Sequence, residues 1–310
     1  MVRHTSTTNT SSATSDQQPQ AEGRANRNWP ILILVLVFAI ALALVLARTI
    51  GTGKDKPTGS GPGGDPGMVL VNSLAVDPAD GTLYAATHTG VFRVPASKQA
   101  ARIAGRYQDT SGFVIPGPRH FLASGHPDPR ENKPGRLGLI ESTDAAQTWH
   151  SVSLDGRADF HTLRAAHGHV YGFDAATARF MVTQDLRTWD SRSVTPMLDF
   201  DVSPDVPDTI LAATSEYGLA RSSDGGRSFA TVKNSPPLAV LSWPAANLLY
   251  GATPAGAVMA STDGGNTWEQ RGSLDGQPTA IVAQGKQTLH AATASGIYTS
   301  SDGGRSFRRD

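Results

Sequence analysis

From residue 68 onward the chain alternates short apolar runs with turns rich in Gly, Pro and Asp, and no stretch carries the periodicity of an amphipathic helix. The runs recur in a fixed order. A buried strand comes first, at residues 73–76, 112–115, 162–165, 198–202, 238–241 and 280–283. A second follows at 83–87, 121–124, 170–173, 210–214, 248–253 and 289–293. A third, opening near a glycine in several units, occupies 90–94, 137–141, 180–183, 218–221, 257–260 and 296–299. A short outer strand then completes most units. Six units of four strands predict an all-β, six-bladed β-propeller, in which radial repetition leaves only short, protected sheet edges. A β-solenoid is the rival, and its repeat is usually shorter. Closure of the ring is left open by the pattern. The last outer strand has only residues 307–310 to draw on, and residues 68–71 are available to add to the final blade.

One eight-residue phrase follows the third strand in four units: Ser142–Trp149 (STDAAQTW), Ser222–Phe229 (SSDGGRSF), Ser261–Trp268 (STDGGNTW) and Ser300–Phe307 (SSDGGRSF). Its aspartates, Asp144, Asp224, Asp263 and Asp302, are 80, 39 and 39 residues apart. A decayed copy, Val182–Trp189 (VTQDLRTW), divides the long gap into 40 and 40. Such a period is that of one repeated supersecondary unit. The phrase has a physical logic: a short acidic side chain accepts bonds from the N–H groups of its own turn. Gly226, Gly265 and Gly304 permit a positive φ, and the closing Trp or Phe offers a flat surface to a neighbouring blade. Ala146 stands at a glycine position in the first copy. In the decayed copy Gln184 and Leu186 align with the Asp and the Gly, so these two turns are expected to be less regular.

The N-terminal region is of another kind. Residues 1–28 are mostly Ser, Thr, Asn, Gln and Ala with scattered charge, a composition that predicts a disordered polar tail. The segment 29–48 contains the uncharged apolar run Trp29–Ala47, long enough as a helix to cross the ~30 Å core of a bilayer. Val45-Leu46-Ala47 resembles a processing site, but the run exceeds the length usual for a signal peptide, so a retained signal anchor is expected. Residues 49–67 form a Gly/Pro-rich linker with a root-mean-square span on the order of 25 Å. Arg24 and Arg27 on one side and Arg48, Lys54 and Lys56 on the other do not fix the orientation. The short tail and large C-terminal domain predict a single-pass protein of the cell membrane, its propeller (68–310) outside the cytoplasm.

Composition narrows the chemistry. The 310 residues carry a formal net charge of zero and no cysteine. Nucleic acid is therefore not an expected partner, and disulfides, thiolate catalysis and zinc–thiolate sites are excluded.

The repeated phrase resembles the Asp-box, or BNR, repeat of sialidases, sortilin-type receptor ectodomains and some photosystem-assembly factors. The segments SLAVDPADGTLYAATHTGVFRV, GFVIPGPRHFLASGHPDPR and LGLIESTDAAQTW are similar to bacterial secreted or anchored Asp-box proteins labelled glycosyl hydrolase or exo-sialidase-like. That resemblance implies that the boxes lie on the propeller face opposite the functional site, so Asp144, Asp224, Asp263 and Asp302 are expected to be structural.

The opposite rim is built from loops leading into the first strands, with Asn72, Asp109, Asp159, His161 and Asp199. Loops joining second to third strands add His88, His126, Asp128, Asp174, Glu216 and Tyr217. Asp109, Asp128 and Asp159 are the candidate catalytic carboxylates. His88, His126, His161, Asp174 and Tyr217 are candidate ligand contacts, and His88, His126 and His161 with neighbouring acids suit a divalent metal. A sialidase further implies an arginine clamp, a Tyr–Glu nucleophile pair and an Asp acid. Phe92-Arg93-Val94-Pro95 resembles the sialidase Phe-Arg-Ile-Pro motif but falls on a third strand. Glu216 and Tyr217 are adjacent and would face opposite ways on a strand. The orientation of Arg119 and Arg164 is open. The sequence thus favours a membrane-tethered ligand-binding or assembly module with a glycan or protein ligand at the propeller mouth. The alternatives are a sialidase-like glycoside hydrolase acting on extracellular glycans and metal-dependent chemistry at the histidine rim.

Overall fold

The computed structural model describes residues 65–310 apart from 97 and 215–217. The predicted tail, membrane segment and most of the linker lie outside the described residues, as do Glu216 and Tyr217. Among the described residues no helix is long and apolar enough to cross a membrane. Asp65–Asp310 form one compact unit.

Six antiparallel sheets of four strands follow one another along the chain. Blade one is β1 (Val71–Val76), β2 (Leu83–Thr87), β3 (Gly90–Val94) and β4 (Ala101–Arg102). Blade two is β5 (Asp109–Gly117), β6 (His120–His126), β7 (Leu139–Ser142) and β8 (His150–Ser153). Blade three is β9 (Phe160–Ala166), β10 (His169–Asp174), β11 (Arg179–Thr183) and β12 (Asp190–Val194). Blade four is β13 (Asp199–Val202), β14 (Ile210–Thr214), β15 (Gly218–Ser222) and β16 (Ala230–Thr231). Blade five is β17 (Val240–Ala245), β18 (Leu248–Ala252), β19 (Ala257–Ser261) and β20 (Glu269–Ser273). Blade six is β21 (Pro278–Gln284), β22 (Thr288–Thr293), β23 (Gly296–Ser300) and β24 (Arg308–Arg309).

Second strands such as Leu83–Thr87 and Ile210–Thr214 are buried at every position, as expected of a strand covered on both faces by neighbouring blades. The core is accordingly a ring of apolar layers between blades. Leu122 and Leu139 of blade two meet Phe160 and Leu163 of blade three, and Phe180 of blade three meets Phe200 of blade four edge to face at 5.0 Å. Between blades six and one, Ala280, Ala292 and Ile297 pack on Val71, Leu74 and Leu83. That layer closes the ring. β24 pairs only with β23 and β1 only with β2, so each blade is made of consecutive strands and residues 68–71 add no strand to the last one.

The repeated phrase is the connection from third to fourth strand. In Ser261–Trp268, Asp263 Oδ1 accepts from Ser261 Oγ at 2.8 Å and from Thr267 N at 2.9 Å, while Oδ2 accepts from Thr267 Oγ1 at 2.6 Å. Asp144, Asp224 and Asp302 repeat this pattern. Hydrogen bonds from the seventh-position hydroxyl and N–H and from the first-position serine hold all four carboxyls well below the usual range. Gly226 sits at φ +89°, and a Cβ there would lie 2.2 Å from Phe180, so both backbone and packing demand glycine. Ala145 and Ala146 adopt φ of 58° and 66° in the first copy. That turn keeps the geometry of the others at the cost of left-handed alanines.

The decayed copy differs from its sequence alignment. The acid that closes the turn is Asp185, which accepts from Arg187 N at 2.9 Å, Thr188 N at 2.7 Å and Thr183 Oγ1 at 3.2 Å. Its carboxyl is held down at about 2, first by the Thr188 N–H. Gln184 is therefore not the aspartate equivalent: the turn is one residue shorter, with Thr183 in the place of the opening serine and Leu186 at φ 63°. Trp189 still reaches the preceding blade, donating its indole N–H to Ser153 at 3.0 Å.

Candidate functional site

Because the strands within a blade are antiparallel, loops into the first strand share one face with loops from second to third. The repeated turns share the other face with loops from first to second. Arg119 belongs to that far face: its N–H donates to Asp77 and its guanidinium to the Asp144 carbonyl. Arg93 is on β3, exposed and away from the axis, so the Phe-Arg-Val-Pro segment contributes no arginine to the near face.

On the near face, blades one to three bring five side chains into a row. Asp109 opens β5 and His126 closes β6, and the two pair in register. His88 lies in the turn between β2 and β3, Asp159 immediately precedes β9, and His161 is its second residue. His88 Nε2 is 4.0 Å from Asp109 Oδ1, and His126 Nδ1 is 3.9 Å from Asp109 Oδ2. The other nitrogen of the same ring, His126 Nε2, is 3.7 Å from Asp159 Oδ2. His161 Nε2 makes the one short contact, 3.2 Å from the same oxygen. The row thus alternates imidazole and carboxylate, with His126 spanning the two acids. Asn72 of β1 supports it, donating to Asp109 Oδ1 at 3.3 Å and to the Thr110 carbonyl at 3.0 Å.

The two acids are tuned apart. Burial pushes the Asp109 carboxyl up, and the Asp159 charge adds to this against the pull of His88 and His126. Burial opposes ionisation of Asp159 as well, but the hydrogen bond and charge of His161, with His126 and Arg136, outweigh it and leave this carboxyl lowered. Asp159 nevertheless has an unmet need: Oδ1 is buried without a hydrogen-bond partner, in a residue only 7% exposed. The three imidazoles remain open to solvent, with His126 and His161 near half exposed.

The other site residues inferred from sequence do not join this row. Asp128 is gripped by Arg130, whose backbone N–H and guanidinium both bond its carboxylate. The Arg130 side chain holds it down at about 2, and the guanidinium stacks on Tyr107 at 4.4 Å. Asp128 is thus a loop clamp. Asp174 accepts from Asp159 N at 2.9 Å and from Thr177 Oγ1; it positions Asp159 from behind. Tyr217 lies outside the described residues. His88, His126 and His161 do not converge on a point, and among the described residues no three His, Asp or Glu side chains form a metal-binding group.

A second polar cluster occupies the axis. The first strands of all six blades line a cavity of about 180 Å³ that includes Leu74, Val114, Arg164, Asp201, Ser242 and Val282. Arg164 of β9 points inward, 2.8 Å from Asp199 Oδ1 and 3.6 Å from Asp201 Oδ1 on β13. Asp199 also accepts from Leu241 N at 2.8 Å, and Asp201 from Trp243 N at 2.8 Å. Burial pushes Asp199 up to about 6 despite Arg164, and raises Asp201 too. The spacing Asp199–Phe200–Asp201 carried the signal: on a strand, residues two apart face the same way.

A ring of six four-stranded blades with its unrepeated polar groups at one mouth defines the class: an all-β, six-bladed β-propeller. No family model matches the chain, and no curated protein is similar to it in sequence. Its similarities are to solved structures. A GH74 xyloglucanase from Xanthomonas campestris superposes with a TM-score of 0.53 at 16% identity, covering 78% of this chain and 45% of that one. A gluconolactonase from the same organism gives 0.59 at 14%, covering 76% and 87%. The extracellular domain of a putative one-component system from B. thetaiotaomicron gives 0.54 at 14%, covering 78% and 33%. The alignments span about half the length of the GH74 enzymes. At these identities the likeness is one of fold.

Proposed function

We propose that this chain is a membrane-tethered, extracytoplasmic β-propeller of the Asp-box type that binds a glycan or protein ligand at the mouth of blades one to three. The row His88–Asp109–His126–Asp159–His161 carries the proposal: it gathers solvent-open imidazoles and two incompletely bonded carboxylates, whereas the repeated acids of the far face are fully bonded within their own turns. Clustered polar groups at one mouth of a ring are where a ligand site is expected. The extracellular domain of a putative one-component system, similar in fold, supports the setting. The test is a screen of the full chain, in detergent, against cell-surface glycans and exported proteins. Binding should be lost in His126→Gln/Asp159→Asn and retained in Asp263→Asn. Loss in Asp263→Asn alone, with folding unchanged, would place the site on the other face.

A second reading rests on the ionisation of the pair. One acid raised and one lowered, spanned by a single ring, is the division that an acid and a base or nucleophile require, and the similarity to GH74 enzymes supports a glycosidase. Arg130 and Arg164 are engaged by aspartates and so are not free to clamp a substrate carboxylate, as the sialidase variant requires. A panel of aryl glycosides, including a sialoside, tests the hydrolase: turnover abolished in both Asp109→Asn and Asp159→Asn would establish it over the binding module.

A further inference from the structure

The mouth and the axis each hold two aspartates but neutralise them differently. At the axis Arg164 supplies a fixed cation. At the mouth the carboxylates face only imidazoles and Asn72. Arg130 is committed to Asp128, and Arg136, which acts on Asp159 through space, bonds the Arg157 carbonyl. Both acids are short of partners. Asp109 receives one 3.3 Å bond on Oδ1, while its Oδ2 has only His126 nearby at 3.9 Å; Asp159 Oδ1 has none. Carboxylates held in a partly dry site without a fixed cation in contact are costly, and a bound cation removes that cost. His126 keeps the two acids a ring's width apart, and no three ligands converge for a metal among the described residues. A group with three donors pointing in different directions fits better, as a primary ammonium does.

We propose that the mouth recognises its ligand through a primary ammonium group, received by the Asp109 and Asp159 carboxylates beside the His126 ring. The proposal rests on the mouth being the binding site. His88, His126 and His161 surround the two acids with ring nitrogens within 4.0 Å, and Arg136 is the further charged group that acts on Asp159 through space.

The test is calorimetry of the full chain in detergent at pH 7.5 with lysine amide against its Nα,Nε-diacetylated form and with glucosamine against N-acetylglucosamine. The free amines should bind, and acetylation should weaken binding ~10-fold or more, as loss of a charge-assisted contact does. Asp109→Asn should weaken it similarly. A preference for lysine amide assigns the ammonium to a peptide, and one for glucosamine to an amino sugar. Equal binding of free and acetylated forms, or no binding by any probe, overturns the ammonium proposal. If acetylated and free forms bind equally and Asp109→Asn weakens both, the mouth remains the site. If the amines bind but neither Asp109→Asn nor Asp159→Asn alters them, the mouth assignment falls as well.

Discussion

Replacing Arg164 by Met leaves the aliphatic packing of the side chain and removes its charge from the axis. In the native protein Arg164 faces Asp199 at 2.8 Å and Asp201 at 3.6 Å, and burial already lifts the Asp199 carboxyl from 3.8 to about 6. Between those two values the folded chain holds a proton that the unfolded chain has released, so the contribution of Asp199 falls as pH rises through that window. One pH unit of difference is worth about 1.4 kcal/mol, so with Arg164 present Asp199 still costs on the order of 3 kcal/mol at neutral pH. Without Arg164 both carboxyls rise further. Removing one partner from a buried ion pair costs ~3–5 kcal/mol, the loss expected at pH 7.5. At pH 4.5 Asp199 of the variant is protonated, and the loss should shrink towards the ~1–2 kcal/mol of a hydrogen bond and imperfect packing. Guanidinium unfolding followed by tryptophan fluorescence at the two pH values measures both. A loss of equal size at both, or one below about 1 kcal/mol at pH 7.5, would refute the axial charge as the cause.

Asp263→Ala should lower the thermal midpoint while leaving binding at the mouth intact, as calorimetry with the same ligand would show. Because the four repeat acids are held below their ordinary value, their contribution is present above the unfolded carboxyl range and is lost as pH falls through the folded values. Acid titration of Asp263→Ala should therefore show a smaller loss below pH ~4 than the native chain shows. Gly226→Ala forces a methyl into Phe180 at a positive φ and should cost ~2–4 kcal/mol in denaturant unfolding. Ala145→Gly relieves a left-handed alanine at φ 58°. It should stabilise the fold by ~0.5–1 kcal/mol, net of the entropy lost by glycine.

The blades were legible because their period and their alternation of buried strands survive substitution; even the shortened turn at Asp185 leaves β11 and β12 paired. What one residue of deletion obscured was which acid closes that turn, since an ungapped alignment puts Gln184 in its place. At the mouth, the grouping of Asp109, His126, Asp159 and His161 followed from knowing which loops share a face. Asp128 and Asp174 lie on that face as well, and no spacing in the sequence distinguishes them. Their role is decided by short-range partners, Arg130 and Thr177, that satisfy them in place. Arg164 was ambiguous for another reason: a strand side chain has two faces to choose from, and the choice is set by Asp199 and Asp201 on the next blade.

The contrast between the two acid clusters bears on which can take a ligand. Asp199 and Asp201 each accept backbone N–H groups from blade five, Leu241 and Trp243, in addition to Arg164. A ligand entering there would have to displace bonds that tie blades three, four and five together. Asp109 takes one side-chain bond from blade one, from Asn72, and neither its carboxylate nor that of Asp159 anchors a backbone N–H of another blade. Of their four oxygens, Asp109 Oδ1 and Asp159 Oδ2 have partners at 3.2–3.3 Å, and the longer contacts to His88 and His126 leave room to close. Binding at the mouth therefore breaks little and satisfies groups the fold leaves wanting, whereas the same charge at the axis is already spent on holding the ring.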